Sequence, residues 1–220
     1  MRYLLTIIIS SFLFSSYYGI GDTVTTDHQD IEFDVCYGNY AQDQLKLSHF
    51  NGKISVFGLS ATWWPPACTF SLEALIDSIG NDSRIKIFES LDDIGQPYTC
   101  TQWGDLGQEG LPLIVESDNV LFNLFSNGYY AETVVLDPNM VFRHIGSDLN
   151  DILNIVEQIL SESHWVLGDI DFNQIVDILD IVLLVNFILD PSYSFSADVN
   201  NDQIVNIQDI IILINIILNN

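Results

Sequence analysis

Residues 53–79 read KISVFGLSATWWPPACTFSLEALIDSI. The first eight form a β-branched and apolar run with no helical spacing, which reads as a buried strand. Two tryptophans, two prolines and a cysteine then interrupt it. Beyond them Leu72, Leu75, Ile76 and Ile79 recur three and four residues apart, on one face of a helix. A second β-rich run, RIKIFES, occupies 84–90. Strand, helix and strand in this order make a β-α-β unit, whose strands pair in parallel through the crossover helix.

Further along come LPLIV at 111–115, ETVVLDPNMVFRHIG at 132–146 and DLNDILNIVEQIL at 148–160. In the second of these, two β-runs flank a turn in which Pro138 presets the backbone, so a hairpin is predicted. The third is an amphipathic helix that closes the unit. The expected fold over about 30–160 is therefore α/β, a sandwich with a mixed central sheet.

After Ser163 the composition changes, and the remaining residues contain no lysine or arginine. The segment also repeats itself, GDIDFNQIVDILDIVLLVNFIL at 168–189 being answered by ADVNNDQIVNIQDIIILINIIL at 197–218. Side-chain oxygens recur at Asp169, Asp171, Asn173, Asp177 and Asp180, and again at Asp198, Asn200, Asp202, Asn206 and Asp209. Numbered from the first aspartate, these are loop positions 1, 3, 5, 9 and 12. That is the calcium-loop spacing, in which position 7, here Ile175 and Ile204, supplies a backbone carbonyl. Calcium takes six to eight oxygens, so a loop wrapped around it must present oxygen ligands at alternate residues. Val176 and Val205 at position 8 are expected to pack inward, with a helix starting at position 10. Two departures stand out: aspartate replaces glutamate at position 12, and Gln174 and Gln203 replace glycine at position 6.

Composition sets further bounds. Thirty acids against six bases give a net charge of −24, a surface that repels nucleic acid and anionic lipid and attracts cations. Disorder is argued against by 48% hydrophobic and 12% aromatic residues. Residues 1–21 read MRYLLTIIISSFLFSSYYGIG, a secretory signal peptide with Gly19 and Gly21 as a small-x-small cleavage site. The mature chain is then expected outside the cytoplasm, with no membrane span. Three cysteines, Cys36, Cys68 and Cys100, allow one intramolecular disulfide in three alternative pairings.

The duplicated loop-helix unit resembles a type I dockerin, whose family also carries aspartate at position 12. This resemblance covers 164–220 and implies a small all-α domain that folds around two calcium ions. It also implies docking onto a cohesin-like or other cell-surface protein receptor, commonly within polysaccharide-degrading complexes.

The preceding region, from VFGLSATWWPPAC to YYAETVVLDPNMVFRHIG, resembles secreted thioredoxin-like domains of the redoxin and selenoprotein P-like kind. That family's chemistry needs a low-pKa thiolate at a helix start and a second thiol to resolve the mixed disulfide. With Cys68 in the second position the attacking thiol falls on Pro65. With Trp63 matched to the motif's tryptophan, the two cysteines fall on Trp64 and Ala67. The family's cis-proline falls on Ala131. The expected organisation is a signal peptide at 1–21, a degenerate thioredoxin-like domain at 22–163 and a dockerin-like domain at 164–220. The first reading is a calcium-dependent attachment protein with no catalytic site. The rival is a thiol-disulfide oxidoreductase using Cys68 with Cys100 or Cys36.

Overall fold

The structure, a computed structural model, describes residues 17–40, 44–63, 70–79, 82, 84–106, 113–126, 128–162, 168–171, 173–189, 196–200, 202 and 204–219. Seven strands form one sheet: β1 (Phe33–Tyr37), β2 (Gln44–Leu45), β3 (Ile54–Ala61), β4 (Ile85–Asp92), β5 (Leu113–Glu116), β6 (Glu132–Leu136) and β7 (Phe142–Gly146). They lie in the order β2-β1-β5-β4-β3-β6-β7. Strands β3, β4 and β5 are parallel, and β6, β7, β1 and β2 each join antiparallel. The mixed sheet and the 132–146 hairpin expected from the sequence are both present.

Every residue of β3 is buried, because helices cover both faces of the sheet, and that explains its near-continuous apolar run. The short helix α1 (Thr26–Gln29) precedes the sheet. On one face of the sheet Ile54 and Val56 pack with Leu75 of α2 (Phe70–Ile79) and with Ile152, Val156 and Ile159 of α5 (Leu149–Glu162). The four- and three-residue spacing in α5 puts its three apolar side chains on one stripe, each worth about 1.5–3 kcal/mol when fully buried. The Asp148 carboxylate starts this helix by accepting from the Asn150 and Asp151 N–H groups. The other face is aromatic: Phe57 stacks on Phe88 at 4.7 Å and meets Phe125 of α4 (Val120–Phe125) edge-on at 5.5 Å.

Cys36 of β1 is disulfide-bonded to Cys100, the first residue of α3 (Cys100–Gly104). Of the three pairings the sequence allowed, this one forms, and Cys100 is therefore not joined to Cys68. Closing the 64 residues between them removes chain entropy worth about 4 kcal/mol in the loop-entropy account. Cys68 and the neighbouring 64–67 lie outside the described residues.

Chain ahead of the expected boundary at Gly21 is built into this domain. Tyr18 is buried and stacks on Phe125, and Gly21 N–H donates to the Phe142 carbonyl at 2.7 Å. The domain thus begins before residue 22. The small-x-small pattern of Gly19 and Gly21 matched a cleavage site, but their neighbour Tyr18 fills the core. Residues 1–16 of the leader lie outside the described residues.

The C-terminal module is built on α6 (Ile178–Leu189) and α7 (Ile207–Asn219). Its core joins Ile170, Leu184, Ala197, Val199 and Leu213, with Val176 and Val205 packed against it. Both helices start at loop position 10, as the spacing predicts. Gly168 has φ +91°, and a Cβ there would collide with the Leu213 side chain. Its counterpart one repeat later is the fully buried Ala197. Among the described residues no helix is long and apolar enough to cross a membrane.

Candidate metal centres

The two acidic loops fold into the same hydrogen-bond pattern. Asp169 accepts from the Asn173 N–H at 3.1 Å, and Asp198 from the Asp202 N–H at 3.0 Å. At position 3, Asp171 accepts from Asn173 N–H at 3.1 Å and Asn200 from Asp202 N–H at 2.9 Å. At position 5, Asn173 accepts from Ile175 N–H at 2.7 Å and Asp202 from Ile204 N–H at 2.9 Å. At position 9, Asp177 and Asn206 each accept from a helix N–H at 2.7 Å. These Asx-type turns bend each loop tightly.

Position 12 closes each loop. Asp180 and Asp209 are fully buried. Asp180 Oδ1 accepts from Ile170 and Asp171 N–H, and its Oδ2 accepts from Asp177 N–H at 2.8 Å. Asp209 repeats this with Asn200 N–H at 3.2 Å and Asn206 N–H at 2.9 Å. Each carboxylate thus ties position 3 to position 9, across the loop. The shorter aspartate reaches this place because it sits at the third residue of its helix, where it also faces the free N–H groups and the positive dipole end.

Asp169, Asp171 and Asp180 each offer a carboxylate oxygen within 4.8 Å of the other two. Two oxygens bound to one calcium at 2.3–2.6 Å lie at most about 5 Å apart, so this separation fits a shared ion. Burial, followed by the nearby Asp180 charge, raises the Asp169 carboxyl above its usual range, partly offset by the Gln174 and Asn173 N–H bonds. The module has no lysine or arginine of its own to balance these charges. Gln174 takes φ +71° at position 6, a conformation that costs a non-glycine residue about 1–2 kcal/mol. Its N–H donates to Asp169 Oδ2 at 2.8 Å, which recovers part of that cost. Gln203 lies outside the described residues. The Ile175 and Ile204 side chains point to solvent, consistent with a backbone role, and the Ile204 carbonyl accepts from the Asn206 side chain at 3.1 Å.

Both helices keep apolar side chains exposed. Ile178, Val182 and Leu189 on α6 correspond to Ile207, Ile211 and Leu218 on α7, and all six are exposed.

The end of β3 corresponds to the strand-to-helix position of a redox motif. There the Trp63 indole N–H donates to Asp93 at 2.6 Å, and the ring lies edge-on to Tyr130 at 5.2 Å. Tyr130 stacks on Phe122 at 4.2 Å and donates to Asn119 Oδ1 at 2.9 Å. Asp92 is buried beneath them, accepting from Ser117 Oγ and the Asn119 N–H at 2.7 Å each. Burial raises its carboxyl, and those two bonds oppose the rise. Ala131, at the expected cis-proline position, has φ +62° and donates its N–H to the Leu59 carbonyl. The Cys36–Cys100 disulfide joins β1 to α3, so neither cysteine is a free thiol that Cys68 can use. The reading from sequence missed the buried acids Asp92 and Glu89.

The dockerin type I domain family matches residues 167–218. No curated protein matches the chain. Among solved structures, a candidate thiol-disulfide oxidoreductase from Bacteroides vulgatus is similar at 18% identity and TM-score 0.51, over 66% of this chain and 99% of that one. A candidate thiol:disulfide interchange protein DsbE from Chlorobium tepidum is similar at 11% identity and TM-score 0.50, over 64% of this chain and 98% of that one. At these identities the likeness is one of fold. The chain thus has a thioredoxin-like α/β fold followed by a segment, 167–218, that matches the dockerin type I domain.

Proposed function

We propose that this is an exported calcium-binding protein whose dockerin module attaches a non-catalytic thioredoxin-like domain to an extracellular or cell-surface assembly. The observation that carries this is the duplicated loop with its buried closing aspartate, and the convergent carboxylates of the first copy, in a segment without lysine or arginine. Dockerin domains generally bind calcium and cohesins, which supports two ions, one per loop, and a cohesin-like receptor. The ligands are Asp169, Asp171, Asn173, the Ile175 carbonyl, Asp177 and Asp180 in the first loop. The second uses Asp198, Asn200, Asp202, the Ile204 carbonyl, Asn206 and Asp209. Calcium supplies the positive charge that holds each set of oxygens together, while the chain's own N–H bonds orient them. The exposed stripes of α6 and α7 are the docking face, and polysaccharide-degrading complexes are the assembly that the module type favours. The C-terminal domain takes residues 164–220.

The oxidoreductase alternative has less support, because Cys36 and Cys100 bond to each other and Pro65, or Trp64 with Ala67, stands where the motif needs thiols. Thermal melting with added calcium tests the main reading. Calcium is expected to raise the melting temperature, and Asp169→Ala combined with Asp198→Ala to abolish the rise. A recombinant type I cohesin should be retained by the protein with calcium and released by chelator. Absence of calcium binding at millimolar concentration would falsify the proposal.

A further inference from the structure

The second acidic loop rests on the thioredoxin-like domain. Val205, at loop position 8, packs against the core of its own module and also against the aromatic cluster of the sheet that holds Phe50, Phe57 and Phe88. It stands between two of the proposed ligands, the Ile204 carbonyl and Asn206, so the ion-binding turn itself makes the contact. Val176, at the same position of the first loop, packs within the module.

The charges agree with that placement. Lys86 lies on β4 two residues before Phe88, on the same face of the sheet, and Lys53 directly precedes β3. Both are half-buried. Burial lowers each ammonium group from its usual range, with the Lys86 charge adding to the fall at Lys53, and Asp198 opposes the fall in both. Asp198 is the first residue of the second loop. The other described bases face acids of their own domain: Lys46 meets Glu32 at 2.8 Å, Arg84 meets Asp82 at 2.7 Å, and Arg143 meets Asp137 at 3.2 Å and Glu162 at 2.8 Å. In the first loop the charge acting on Asp169 is another acid, Asp180. A calcium ion brought to Asp198 is therefore repelled by two ammonium groups and meets a carboxylate whose field they already reduce.

We propose that Lys53 and Lys86 clamp the second loop against the sheet and lower its affinity for calcium, so that filling this site and holding the two domains together oppose each other. The inference rests on the calcium reading of the loops. By linkage the opposition is reciprocal, and calcium at the second site weakens the clamp by the factor the clamp takes from calcium. The test is calorimetric titration of the full chain with calcium chloride at neutral pH and low salt, in wild type and in a Lys53→Gln, Lys86→Gln double variant. The variant is expected to tighten the weaker of two binding steps by roughly three- to tenfold and to leave the tighter step where it is. Each single glutamine variant should give a smaller shift of the same sign. Lys53→Arg with Lys86→Arg keeps both charges and should stay near wild type, and added salt should shrink the gap between wild type and the glutamine variant. Two unchanged steps in the glutamine variant, a weaker second step, or an equal shift in both steps would overturn the proposal and leave the calcium reading standing. No calcium bound by the wild type would overturn both.

Discussion

Glu89 places an acid in the middle of the sheet, and Gly58 admits it. The two pair across β3 and β4, and a Cβ at Gly58 would collide with the Glu89 carboxylate. Burial lifts that carboxyl from 4.5 to about 7, against a lowering hydrogen bond from Ser60. The folded state therefore holds the proton more tightly than the unfolded chain does. Stability from this group is full below pH 4.5 and is lost as pH rises to about 7, where the deficit reaches about 3 kcal/mol. Glu89→Gln is expected to flatten the fall in urea midpoint between pH 5 and pH 8. An identical fall in variant and wild type would count against it. The run RIKIFES is legible as a strand, but not the burial of its acid. That depends on β5 and β3 flanking β4 and on helices covering the sheet, which no local pattern states. Ala131 was legible by position, and its left-handed φ became visible only in the fold.

At the scale of elements, the repeated loop was the most readable part of the chain. Ligand spacing, helix start at position 10 and inward valine at position 8 are all local rules, and Ile178, Ile207, Val176 and Val205 obey them. Short elements were not readable: β2 is two residues long and α4 six, too brief to show a period. The disulfide was equally hidden, because its pairing depends on β1 lying beside β5 rather than on any spacing of cysteines. The first loop has four aspartates and the second three, within matching hydrogen-bond frames. The first should therefore bind calcium more tightly. In calorimetric titration, Asp180→Asn is expected to remove the tighter step and Asp209→Asn the weaker. The reverse assignment would show that Gln174 or local strain outweighs the extra charge.

At the scale of the whole molecule, the fold was legible because a β-α-β unit, a hairpin and a closing helix leave few ways to build one sheet. On the proposed reading the N-terminal domain carries no thiol chemistry. Insulin reduction by dithiothreitol should proceed no faster with the protein than without it, and Cys68→Ser should change nothing. Turnover lost in that variant would restore the oxidoreductase reading. The module attached to this domain is duplicated in its chemistry but not in its shape. Where the first repeat has Gly168, with Leu213 pressed against it, the second has Ala197. A chain assembled from two second repeats would drive a methyl group into Leu213. Two first repeats would leave the place of the Ala197 methyl vacant. One carbon atom thus gives the pair an order, and the halves are not interchangeable parts.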